Sequence, residues 1–108
     1  MEEELEISVK ELKHMFDSGV RFHLIDVREQ YEYDFCHISG SQLVPMSQIQ
    51  KRVNEFNSEE ECVFYCHVGE RSRLVVNYLS RLGFKKVRSL RGGIDQWSLE
   101  IDQSVPRY

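Results

Sequence analysis

Residues 62–82 read CVFYCHVGERSRLVVNYLSRL, and this stretch contains an apolar strand, a loop that begins with cysteine and an amphipathic helix. The four residues from Cys62 to Tyr65 are apolar, which is typical of a strand buried inside a sheet. Apolar residues then recur at helical spacing from Ser72 to Leu82, and Gly83 is placed to end the helix. The helix residues that we predict to face inward are Leu74, Val75, Tyr78, Leu79 and Leu82.

Strands and helices alternate on the N-terminal side of this stretch. Ser8–Glu11 match a capping box, and the helix that they begin is expected to end at Gly19. The mostly apolar segment Phe22–Val27 predicts a strand. Glu29–Phe35 predicts one or two helical turns, and Leu43–Val44 predicts a very short strand that the following proline stops.

The alternation continues towards the C-terminus. A second capping-box pattern at Ser47–Gln50 predicts a short helix before the stretch. After the stretch, Val87–Leu90 predicts a last strand. Gly93 then leads into a helix that carries Ile94 and Trp97 on its apolar face.

This order of elements indicates an α/β fold with a mainly parallel sheet of about five strands and helices on both faces. The length fits one domain over residues 1–108 that can bury a core of its own. In parallel sheets, ligands lie beyond the carboxyl ends of the strands. That rule selects the loops that follow Val27, Tyr65 and Leu90, and the middle loop begins with a cysteine.

Composition and charge exclude several classes of partner. The formal net charge is −4 and no basic stripe is present, so we expect no nucleic-acid partner. The apolar runs are too short to span a membrane. Residues 1–4 are acidic and lack a signal-peptide pattern, so we expect a cytoplasmic protein. The three cysteines and four histidines lack the spaced pairs of a structural zinc site, and we expect neither a metal nor a cofactor.

The loop Cys66–Arg71 has the features of an anion-binding nest. Its backbone N–H groups can point at one centre, and the N-terminus of the next helix adds positive potential. Gly69 provides the backbone freedom that a tight ring needs, and Arg71 adds a permanent positive charge. These features favour a thiolate at Cys66, which is a nucleophile without a separate base.

A packing role for Cys66 is the simpler alternative, because a cysteine after an apolar strand is more often a small buried side chain. The glycine, the arginine and the start of the helix all fall at the spacing that a reactive site needs. We therefore predict that Cys66 is a nucleophile.

Four segments, in order along the chain, resemble the signatures of rhodanese domains. They are Leu24–Glu29, His37–Ser41 followed by Pro45, Cys66–Ser72 and Leu90–Trp97. The tail Ile101–Tyr108 also resembles rhodanese domains that are fused behind ubiquitin-activating-type adenylyltransferases. The resemblance covers almost the whole chain, and four signatures in register are more specific than one.

The resemblance implies a sulfurtransferase in which Cys66 takes sulfane sulfur from a donor such as thiosulfate, carries it as a persulfide and passes it to an acceptor. A cysteine desulfurase or a sulfur-carrier protein is then an expected partner. The backbone amides of the loop would stabilise the anionic sulfur. The loop residues are His67, Val68, Gly69, Glu70, Arg71 and Ser72. Arg71 would also orient the loop and attract anionic donors, whereas Asp26 and Arg28 would brace the framework beside the site.

Two residues depart from the family pattern. Cys36 stands where glycine is frequent, and Glu70 adds a negative charge that could weaken thiosulfate binding. Cys36 and Cys62 could resolve the persulfide as a disulfide, but packing is the favoured role for both. The side chain of His67 is expected to point to solvent or to a neighbouring loop.

Two alternative functions stay open at this stage. Cell-cycle-type cysteine phosphatases resemble rhodanese in fold, but their loops carry five residues between cysteine and arginine. Only four lie between Cys66 and Arg71, a ring that suits one sulfur atom better than a phosphoryl group. Rhodanese folds also serve as binding modules without catalysis, since a fold does not determine a function.

Overall fold

The chain forms a five-stranded parallel sheet with helices on both faces in the computed structural model, which describes residues 5–108. The strands are β1 (Glu6–Ile7), β2 (His23–Asp26), β3 (Gln42–Leu43), β4 (Cys62–Tyr65) and β5 (Val87–Leu90). The helices are α1 (Val9–Ser18), α2 (Gln30–Phe35), α3 (Met46–Ile49), α4 (Glu70–Arg81) and α5 (Gly93–Glu100), and a 3₁₀ turn spans Val53–Glu55. The predicted α/β class is confirmed. Residues 1–4, which contributed to the expectation of a cytoplasmic protein, lie outside the described residues.

Strand β4 lies at the centre of the sheet, whose order is β1-β5-β4-β2-β3. It pairs in parallel with β2 on one side and with β5 on the other. Phe64, for example, lies between Ile25 and Ser89. The loop that leaves β4 therefore starts at the middle of the carboxyl edge, with the loops from β2 and β5 on either side.

Side chains of β4 alternate between two cores, one on each face of the sheet. Val63 and Tyr65 pack on the face that α1 and α5 cover, whereas Phe64 and Cys66 pack on the face that α3 and α4 cover. Because both faces are covered, all four residues of β4 are buried. From Leu5 onward, no helix combines the length and the apolar character that crossing a bilayer requires.

The two predicted capping boxes have different outcomes. At α1 the Ser8 hydroxyl accepts from the Glu11 N–H at 3.0 Å and the Glu11 carboxylate accepts from the Ser8 N–H at 2.9 Å, which confirms the first. The second is wrong, because α3 begins at Met46 and Ser47 already lies inside its first turn. Pro45 and the hydrogen bond from the Met46 N–H to the Val27 carbonyl at 2.9 Å determine that earlier start.

Helix α4 buries part of the face that its sequence predicts, since Val75 and Leu79 face inward as expected. It begins at Glu70, after Gly69 has turned the chain with a left-handed φ of 107°. The buried residues are Ser72, Val75, Val76 and Leu79. Leu74 and Leu82 were expected to face inward, but they are 62% and 52% exposed. Ser72 and Val76 take inward positions instead, and the Ser72 N–H donates to the sulfur of Cys66 at 3.3 Å.

Candidate active site

Three loops meet at the carboxyl edge of the sheet around Cys66. The Cys66 and His67 carbonyls accept from the Ile94 and Asp95 N–H groups of α5 at 2.9 and 3.0 Å. The chain after β2 is held at the same edge by a bond from the Val27 N–H to the Tyr65 carbonyl at 3.0 Å. The cysteine thus sits where parallel sheets place their ligands.

Backbone hydrogen bonds surround the sulfur of Cys66. The N–H groups of Gly69 and Ser72 donate to Sγ at 3.2 and 3.3 Å, and the Ser72 hydroxyl lies 3.5 Å from it. Cys66 is only 1% exposed, so a negative charge on the sulfur depends on these groups rather than on water. The two loop amides therefore place hydrogen-bond donors where a negatively charged sulfur would be stabilised.

A pair of buried serines forms the floor of the site. Ser72 Oγ lies 2.7 Å from Ser89 Oγ, and it also donates to the Gly69 carbonyl at 3.3 Å. Ser89 belongs to β5, so this pair ties the end of the loop to the neighbouring strand. Ser89 was not among the site residues predicted from the sequence. The available signal was a polar residue in a strand that is otherwise predicted to be buried.

Replacing Ser89 with alanine is expected to lower the free energy of unfolding by about 1 kcal/mol, because the buried Ser72 hydroxyl loses its shortest hydrogen bond and keeps only longer contacts. Urea denaturation followed by circular dichroism measures the loss. The control is Ser58→Ala on an exposed turn, for which a change below about 0.5 kcal/mol is expected. Equal stabilities of the two variants would show that the serine pair contributes nothing to the floor of the site.

Arg71 is held by a carboxylate on α2 rather than pointing freely at the sulfur. Its guanidinium donates to the two carboxylate oxygens of Glu32 at 2.8 and 3.0 Å. This bidentate pair is the main reason that the pKa of Glu32 is lowered to about 2. Arg71 thus anchors the end of the loop to α2. Much of its positive charge is compensated, although it was expected to attract anionic donors.

Asp26 and Arg28 form a buried ion pair beneath the loop that follows β2. The guanidinium of Arg28 donates to both oxygens of Asp26, with the shortest distance 2.6 Å, and both side chains are fully buried. Arg28 also donates to the Cys36 carbonyl at 2.6 Å and to the Tyr108 hydroxyl at 2.8 Å. Through these contacts the pair joins the end of β2 to α2 and the C-terminal tail, and its bracing role stays a prediction.

The remaining loop residues lie at the rim. Val68 and Glu70 are exposed. The His67 ring stacks on the ring of Tyr108, with centroids 4.0 Å apart and an interplanar angle of 12°. Neither Tyr108 nor Glu32 was identified as a site residue from the sequence. Both reach the loop only through tertiary contacts, and no local pattern marks them.

The other two cysteines occupy packing positions. Cys36 is buried, and its Sγ donates to the Pro106 carbonyl at 3.3 Å. Burial, with smaller effects from Glu60 and Glu61, raises the pKa of Cys62 to about 11, which keeps it a weakly nucleophilic thiol. Both positions agree with the favoured packing role. A resolving role for either residue stays a prediction.

Comparisons with known proteins agree on one family. A family model described as a rhodanese-like domain matches residues 8–100. The chain is 37% identical over 93 residues to the putative sulfur carrier protein YrkF of Bacillus subtilis, covering 86% of this chain and 50% of that protein. It is 34% identical over 104 residues to the probable adenylyltransferase/sulfurtransferase MoeZ of Mycobacterium tuberculosis, covering 94% of this chain and 26% of that protein. The chain thus spans half or less of these two relatives.

A solved structure extends the agreement to three dimensions. The crystal structure of a rhodanese-related protein from Thermoplasma volcanium superposes on this chain with a TM-score of 0.80 at 27% identity. The superposition covers 89% of this chain and 92% of the other. The similarity therefore extends over most of both chains.

Proposed function

Because the chain belongs to the rhodanese-like domain family, we propose that it is a sulfurtransferase that carries sulfane sulfur on Cys66. The observation that carries the proposal is the Cys66 sulfur, which receives hydrogen bonds from two loop amides at the carboxyl edge of the central strand. The relatives named as a sulfur carrier and as an adenylyltransferase/sulfurtransferase support sulfur transfer in general. Cys66 is the proposed nucleophile, and the covalent intermediate is its persulfide.

In the first step the Cys66 thiolate attacks the outer sulfur of thiosulfate. A new S–S bond forms on Cys66, the S–S bond of thiosulfate breaks, and sulfite leaves with the electron pair. The terminal sulfur of the persulfide then carries the negative charge, and we expect the backbone N–H groups of the loop 67–72 to stabilise it, as those of Gly69 and Ser72 donate to Sγ in the free protein. In the second step an acceptor such as cyanide attacks the terminal sulfur and leaves as thiocyanate, which regenerates the thiolate. No cofactor or external oxidant enters either step.

A protein persulfide can replace thiosulfate in the first step, with a cysteine thiolate as the leaving group. A cysteine desulfurase is the class of enzyme that supplies such a persulfide, and a sulfur-carrier protein is the class of acceptor that accords with the name of the first relative. We place the reaction in the cytoplasm, where reducing conditions keep Cys66 as a thiol between cycles.

The size of the loop distinguishes sulfur transfer from phosphatase activity. A persulfide adds one sulfur atom, whereas a phosphoryl group needs three oxygens held at once by amides and an arginine fork. Arg71 is already paired with Glu32, and only four residues separate it from Cys66. The protein is therefore expected to turn over thiosulfate with cyanide, while its hydrolysis of aryl phosphates stays at background.

Insertion of one glycine after Gly69 is expected to lower sulfur transfer about a hundredfold, because it moves the amides away from the sulfur. The matched control inserts a glycine after Ser58, on an exposed turn, and should keep wild-type turnover. Both activities are measured on the three proteins. Cys66-dependent phosphatase turnover comparable to sulfur transfer would refute the proposed function, and absence of any Cys66-dependent turnover would favour a binding module.

A further inference from the structure

Tyr108 contacts three parts of the site that lie far apart in the chain. Its hydroxyl accepts a hydrogen bond from Nη1 of Arg28 at 2.8 Å and donates one to Oε2 of Glu32 at 2.7 Å. Its ring stacks on the imidazole of His67. The edge of the Phe35 ring supports it from α2, with the centroids 5.8 Å apart. One side chain of the tail thus joins the loop after β2, helix α2 and the cysteine loop.

These contacts hold both ends of the loop that surrounds the sulfur. His67 directly follows Cys66, and its ring lies against Tyr108. At the other end, Arg71 directly precedes Ser72 and is fixed by Glu32, which is the residue that the Tyr108 hydroxyl contacts. The two amides that reach the sulfur belong to Gly69 and Ser72, so they lie within the segment that is held at both ends.

The protonation states of Tyr108 and Glu32 preserve the hydrogen bond between them. Burial, and then the hydrogen bond to Glu32, raise the pKa of Tyr108 to about 12, so the hydroxyl keeps its proton at ordinary pH. The pKa of Glu32 is lowered to about 2, mainly by Arg71, so its carboxylate remains an acceptor. At neutral pH the Tyr108 hydroxyl therefore donates to a charged carboxylate.

We propose that Tyr108 is a positioning residue, which holds the loop at the width where the Gly69 and Ser72 amides reach the sulfur of Cys66. This inference rests on the proposed sulfur transfer, and it assigns to the tail a part in the chemistry of the site. Tyr108 acts through Glu32 and His67 rather than by contact with substrate. Its loss therefore lowers the rate of the reaction more than the binding of the donor.

The test compares Tyr108→Phe, which keeps the ring and loses the hydroxyl, with Tyr108→Leu, which loses both. The matched control is Tyr31→Phe, because Tyr31 is 74% exposed and lies on the same helix as Glu32. For each protein we measure kcat and KM for thiosulfate, the rate of Cys66 alkylation by iodoacetamide at pH 7, and Tm. Alkylation does not depend on sulfur transfer. Its rate therefore reports the environment of the Cys66 sulfur independently of the proposed function.

Tyr108→Phe is expected to lower kcat about fivefold to tenfold, to leave KM within about twofold and to slow alkylation, and the loss of two hydrogen bonds to charged groups also lowers Tm by several degrees relative to the control. Tyr108→Leu is expected to lower kcat further. Equal kcat and alkylation rates for Tyr108→Phe and Tyr31→Phe would overturn the proposal, as would a change confined to Tm. If the wild type transfers no sulfur, the proposed function fails, and the alkylation rates alone decide the role of Tyr108.

Discussion

Replacing Cys66 with serine is expected to abolish sulfur loading. Serine fits the same space, and the Gly69 and Ser72 amides can still donate to its oxygen, but a hydroxyl without a base is a poor nucleophile and cannot form a persulfide. The rate of loading should fall by at least about a thousandfold. Intact mass after incubation with thiosulfate should show one added sulfur on the wild type, and peptide mapping should place it on Cys66.

The other two cysteines provide the matched controls for this experiment. Cys36→Ser retains a donor for the Pro106 carbonyl, and Cys62→Ala removes a thiol whose raised pKa already makes it unreactive. Both variants should load one sulfur at a rate near that of the wild type. A normal load on Cys66→Ser, with Cys36 and Cys62 intact, would show that the sulfur is carried elsewhere and that the proposed mechanism is wrong.

Replacing Gly93 with alanine is expected to have the second largest effect, on both stability and activity. A Cβ at this position would lie 2.4 Å from the His67 carbonyl oxygen and 2.5 Å from that of Cys66. Either α5 or the cysteine loop must then move, and the φ of 59° adds strain for any residue with a side chain. We expect a loss of about 3 kcal/mol or more in the free energy of unfolding, together with a loss of sulfur transfer.

Gly19→Ala measures the cost of a positive φ without the steric clash that Gly93→Ala introduces. Gly19 also has a positive φ, 73°, but its Cβ would meet nothing within 4 Å. It should lose only about 1 kcal/mol and keep wild-type activity. Urea denaturation and thiosulfate turnover on both variants measure the two effects. A Gly93→Ala protein as stable and active as Gly19→Ala would disprove the close contact between α5 and the cysteine loop.

Four strands of the sheet, β2 to β5, were predicted from the sequence, whereas β1 was not. The bounds of β4 and β5 agree with prediction: β4 is a compact apolar run, and β5 begins and ends with an apolar residue. Strand β1 was missed, since Glu6–Ile7 is too short to show a period. It exists because Ile7 pairs with Leu90 and its carbonyl accepts from the Arg91 N–H at 2.8 Å, a partner at the far end of the sequence.

Some residues of the site lie close together in the sequence, whereas others come from distant parts of the chain. The cysteine and the two amides that reach its sulfur lie within residues 66–72, so one segment of sequence was enough to predict the loop. Glu32, Ser89 and Tyr108 come from α2, β5 and the tail. Their roles depend on distances that only the folded sheet creates, and composition or spacing could not reveal them.

The hydrogen bonds between the cysteine loop and α5 also bear on whether the sulfur of Cys66 would bind a cation or an added anionic sulfur. The carbonyl groups of Cys66 and His67 are engaged by the Ile94 and Asp95 amides, so these two peptide units cannot rotate their oxygens towards the sulfur. The backbone groups that do reach it present hydrogens. A divalent cation approaching the thiolate would find electropositive neighbours where it needs further lone pairs, whereas an added anionic sulfur finds donors already in place. If Cys66 carries sulfur as proposed, the peptide orientation of this loop is expected to favour an added anionic sulfur over a thiophilic metal ion.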